Sequence, residues 1–149
     1  MAKTIDTIDD WFAPTIEEVA AKAGLRVRVE NPRLVICGFD MGEGRMQDVW
    51  IRPVGTDAGG NVLCRLSSPA LRLESGALLG QRAASGLLRE NGQLAQGSWA
   101  IECADQCDFL VATETQILLT MQPEEFQGIV LALATAADAL EQRLGKDFF

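Results

Sequence analysis

The last third of the chain carries an apolar seam that constrains how everything before it is arranged. From Phe126 the apolar side chains recur as Phe126, Val130, Leu133, Ala137, Leu140 and Leu144, the four-three alternation of one helix face. A second row, Ile129, Leu133, Ala136 and Leu140, widens the seam into a broad stripe. Pro123 suits a first helical position, where a missing amide costs nothing, and Glu124 and Glu125 complement the positive end of the helix dipole. Gly145 and Lys146 mark the expected stop. So wide a face must be buried against a sheet or against a second copy of the chain.

At 149 residues, 48% of them hydrophobic, the sequence supports one core, and residues 1–149 read as a single domain. The net charge of -8 argues against nucleic acid or an anionic membrane as the main partner, because both require a basic footprint. The first ten residues hold acids rather than a basic region leading into an apolar run, and no stretch approaches the roughly 20 apolar residues of a spanning helix. A cytoplasmic protein is the expectation. With no His and no Tyr, the chain lacks the usual near-neutral proton carrier, the commonest transition-metal ligand and the phenol donor. Any catalysis would fall to Asp, Glu, Lys or Cys.

Ile8, Trp11, Phe12, Ile16, Val19, Ala20 and Ala23 share one face of a first helix over Ile8 to Ala23, within which Pro14 predicts either a kink or a later start. Leu25, Val27 and Val29 alternate with Arg26, Arg28 and Glu30 as a half-buried strand does, and Asn31-Pro32 signals a turn. A more central strand follows from Arg33 to Phe39, then a hairpin loop over Asp40 to Gly44 and a third strand through Met46 to Ile51. Pro53 to Gly60 reads as a loop, and Val62 to Ser67 as a fourth strand. Ser75 is placed to cap a middle helix reaching Glu90, in which Gly76, Gly80 and Gly86 are expected to allow close approach to the sheet. Trp99 to Cys103 and Phe109 to Thr113 form a second hairpin turning near Ala104 to Gln106.

The chemical motifs are sparse. Cys103 and Cys107 form the only close cysteine pair, and a zinc site would have to recruit Cys37 and Cys64 from distant strands. Four buried thiols in a reduced protein is the reading adopted, with no metal and no cofactor. Asp40 with Glu43 lacks calcium-loop spacing, and Gly42-Glu43-Gly44 lacks the Lys-Ser/Thr of a phosphate loop. Trp50 and Trp99 are assigned to core packing. Trp11 and Phe12 near the amino terminus, and Phe148 and Phe149 at the other end, are the candidate partner-binding residues.

This succession resembles class I type III secretion chaperones and the related YbjN-like bacterial proteins. The likeness is carried by Leu78-Leu79 and Leu87-Leu88 in a helix, the Gly92 to Gly97 turn, and the hairpin strands Trp99 to Cys103 and Phe109 to Ala112. Glu124, Glu125 and Phe126 then open a last helix, continued by Ala136, Ala137, Asp138 and Leu140. The resemblance implies an α+β fold, an antiparallel sheet flanked by helices in the order α-β-β-β-β-α-β-β-α. It also implies a homodimer that holds another polypeptide without catalysis, with Leu79, Ala83, Gly86 and Leu87 of the middle helix at the dimer interface. The rival expectations are a small enzyme using Cys or carboxylate chemistry and a regulatory domain for a small ligand.

Overall fold

The computed structural model describes residues 2–74 and 79–147. A single 3-10 turn (Ile5–Thr7) leads into α1 (Ile8–Lys22), β1 (Val27–Asn31), β2 (Leu34–Gly42), β3 (Arg45–Thr56) and β4 (Val62–Leu73). Then come α2 (Gln81–Asn91), β5 (Ser98–Ala104), β6 (Cys107–Ile117) and α3 (Pro123–Asp147). The strands form one six-stranded antiparallel sheet in the order β1-β2-β3-β4-β6-β5, so the described residues fold as α+β with three α-helices. The first four strands are a meander, whereas β6 returns to pair with β4 and leaves β5 on the edge.

Local chemistry explains the tight turns. Register pairs Gly42 with Arg45 and Ala104 with Cys107, leaving two-residue loops. Their central residues, Glu43-Gly44 and Asp105-Gln106, all have positive φ, the type I′ geometry that matches strand twist. In the middle of the sheet Val35 pairs with Ile51 and Ile51 with Leu66, and all three are fully buried on the face that meets α3. Phe126, Ile129, Val130, Leu133, Ala137 and Leu140 of α3 are each at most 2% exposed, so the seam is core. α3 lies against β2, β3, β4, β6 and α1, and α1 covers β1 and β2 on the same side.

Several boundaries differ from the sequence reading. α1 is not one of them: it keeps the expected start at Ile8 and runs through Pro14, whose missing amide leaves the Asp10 carbonyl on an exposed turn. β3 continues through Pro53 and β4 through Pro69, each with a register shift just beyond the proline. The β2 pairing of β3 has already ended at Ile51, so no ladder on that side requires the missing donor of Pro53. α2 starts at Gln81 with Gly80 as its N-cap, so Leu79 precedes the helix, while Ser75, Gly76 and Leu78 lie outside the described residues. A Cβ on Gly80 or Gly86 would meet open space, so neither glycine serves a close approach. α3 passes Gly145 and Lys146 and ends at Asp147.

Polar ties fix α3 against the sheet. Arg45 on β3 donates to both carboxylate oxygens of the buried Asp138, at 2.9 and 3.3 Å, and Gln142 donates to the same group at 2.9 Å. Buried Gln47 donates to Glu141 at 2.8 Å.

Candidate binding groove on the open face of the sheet

Because α1 and α3 share one side of the sheet, the alternate residues of every strand face the other way. One row across this open face reads Arg28, Ile36, Trp50, Ser67 and Thr113 in consecutive register. An open sheet face is normally wet and polar. Here Ile36, Ser67, Glu102 and Val111 are nonetheless buried, at 7%, 1%, 7% and 0% exposure.

For Ser67 and Glu102 a shared polar network is the cause. Glu102, on edge strand β5, reaches over to Arg52 on β3, where Nη2 donates to its Oε2 at 2.8 Å. Its other oxygen accepts from Ser67 Oγ at 2.8 Å and Thr113 Oγ1 at 3.1 Å, and Arg65 stands 3.9 Å away. A buried carboxylate is tolerable only when matched in this way. Beside this network a groove of about 890 Å³ reaches from β1 to the β5–β6 turn. Trp50 and Phe109 line it, their rings 5.2 Å apart and edge to face at 89°. Arg28, Arg33, Arg52 and Arg72 also line it.

The cysteines do not converge. Cys103 pairs with Asp108 and Ala104 with Cys107, so the pleat sends the side chains of Cys103 and Cys107 to opposite faces of the hairpin. Neither is buried, which corrects the expectation of four interior thiols. Cys37 and Cys64 are buried, and loss of hydration pushes their thiols up to about 11 and about 12. Both stay protonated at neutral pH. Among the described residues no three Cys, Asp or Glu side chains are grouped to hold a metal ion.

The partner-binding residues expected near the amino terminus turn out to be core. Phe12 is 0% and Trp11 7% exposed, packed under α3, and the Trp11 indole donates to Thr4 O at 3.0 Å. Phe148 and Phe149 lie outside the described residues. Of the expected dimer residues, Leu87 is buried within the subunit, and Leu79, Ala83 and Gly86 are half-buried. The exposed apolar side chains nearby are Leu88, at 71%, and Ile101, at 52%, flanking an apolar slot of about 300 Å³ between α2 and β5. Asn91 holds these two elements together, accepting from Trp99 N at 2.6 Å and donating to Trp99 O at 3.1 Å. Trp99 itself is core, as expected, whereas Trp50 is half-buried on the open face. The signal for Trp50 was its row: Asp48, Trp50 and Arg52 alternate with the buried Val49 and Ile51.

No protein-family model matches this sequence, and no curated protein matches it either.

Proposed function

We propose that this chain is a non-enzymatic binding module that holds an extended segment of another polypeptide on the concave face of its sheet. The observation that carries this reading is the open face, whose groove has an aromatic floor and arginine walls, with no helix among the described residues laid over it. Pre-formed concave surfaces of this kind lose little order on binding, and aromatic residues dominate the energetics of such contacts. The resemblance to secretion chaperones and YbjN-like proteins agrees with the same role, in which a dimer carries a client without turning it over. Dimerisation belongs to the slot beside α2 and β5, where Leu88 and Ile101 leave apolar surface in water.

The test is photo-crosslinking in the cells the protein comes from. Benzoylphenylalanine in place of Phe109 is expected to trap a small, reproducible set of proteins that the same probe at exposed Glu17 does not trap. Identical products at the two positions, or none at Phe109, would remove the basis for this function.

A further inference from the structure

We infer that the segment this groove takes presents an acidic side chain beside a bulky apolar one, the carboxylate meeting Arg72 and the apolar group meeting Trp50 and Phe109. This rests on the reading that the open face holds an extended polypeptide. The whole chain has 13 basic residues against 21 acidic ones. The groove reverses that balance, its four arginines facing Glu30, Asp48 and Asp105. Charges beyond about 8 Å are screened at physiological ionic strength, so an entering acid meets the local surplus rather than the net charge.

The surplus sits at one place. Arg28 is matched by Glu30 at 2.8 Å and Asp48 at 3.5 Å, Arg33 by Asp9, and Arg52 by Glu102. Arg72 has instead a contact from Nη2 to Cys107 Sγ at 3.0 Å, and among the described residues no carboxylate reaches it. A guanidinium presents five donors in a planar fork shaped for a carboxylate, and a thiol sulfur is a weak acceptor for one of them. Arg72 also faces Phe109 directly across the β4–β6 pair, which places the open fork next to the aromatic floor. The groove crosses all six strands, from Arg28 on β1 to Asp105 beyond β5. With strands about 4.8 Å apart, that is about 24 Å, the reach of about seven extended residues.

Panning a phage-displayed library of random dodecapeptides on the native protein, on Arg72→Gln and on Trp50→Ala tests this, with circular dichroism confirming each fold and Phe109→Ala replacing Trp50→Ala if the latter does not fold. Sequences selected on the native protein are expected to place Asp or Glu beside Trp, Phe or Leu. A synthetic copy should lose about tenfold in affinity when its acid becomes the amide, and Arg72→Gln protein should bind both copies equally. Selection of apolar peptides without acids, binding Trp50→Ala poorly, would overturn the inference and leave the binding role standing. Peptides that bind Trp50→Ala as tightly as the native protein, or no selection at all, would overturn both. A change of molecular mass on Arg72→Gln in light scattering would assign the groove to a second copy and also overturn the inference.

Discussion

At Gly97 the backbone takes a φ of +76° and passes so near α3 that a Cβ would lie 2.7 Å from Leu133 Cδ2. Alanine there must accept a left-handed backbone and push against a fully buried leucine, and Gly97→Ala is expected to cost about 2 to 4 kcal/mol. Leu133→Ala opens a cavity at the crossing of both apolar rows and should cost about 2 to 5 kcal/mol. In the double variant the new methyl occupies part of that cavity, so urea unfolding should show a loss smaller than the sum of the two. Strict additivity would mean that the two sites do not touch. Glu141 behaves differently: burial, followed by the nearby Asp138 charge, raises its carboxyl above the ordinary value, while the Gln47 hydrogen bond pulls the other way. A folded-state value above the unfolded one means a contribution present below the unfolded pKa and lost as pH rises through the folded one. Glu141→Gln keeps an acceptor for Gln47 and removes that loss. Its unfolding free energy should match wild type in acid and exceed it at neutral pH, by less than about 0.5 kcal/mol; a variant that weakens as pH rises would contradict this assignment.

Elements were legible where one periodicity spoke alone. The α3 seam and the β4 run Val62, Cys64 and Leu66 led directly to burial, because both face the same apolar layer, whereas in β5 only Trp99 of the row Trp99, Ile101 and Cys103 is buried. Boundaries failed where a residue has a local preference that strand pairing overrides, as at Pro53 in β3 and Pro69 in β4, whereas α1 keeps the expected span through Pro14. The open face was misread for a related reason. Its aromatic and aliphatic members looked like core, and they line a groove only because strands distant in sequence lie side by side. The cysteines show the same dependence on register, since spacing alone made Cys103 and Cys107 neighbours and the pleat separates them. Native protein is therefore expected to release color with Ellman's reagent at Cys103 and Cys107 only. Cys37 and Cys64 should react once guanidinium exposes them, because the reagent needs a thiolate. Rapid reaction of all four in the folded state would contradict their burial.

For the molecule as a whole, the proposed homodimer makes a quantitative demand. Light scattering at micromolar concentration should give about twice the 16.1 kDa chain mass, and Leu88→Glu should return it to one chain by placing a charge on exposed apolar surface. A single-chain mass at every concentration would end that reading. Among the described residues no helix is long and apolar enough to cross a membrane. The groove was the part least visible in the amino-acid order, since its walls come from strands at both ends of the sheet. The strand order also has a consequence for synthesis on the ribosome. β4 finds its inner neighbour not in the strand made next but in β6, through ten registered pairs from Leu63–Ile117 to Leu73–Asp108. Until residue 117 has emerged, a nascent chain displays a 12-residue strand with one long open edge. Pairings this distant slow folding to the millisecond-to-second range, so the interval between making β4 and closing it with β6 is when this chain is most exposed to aggregation.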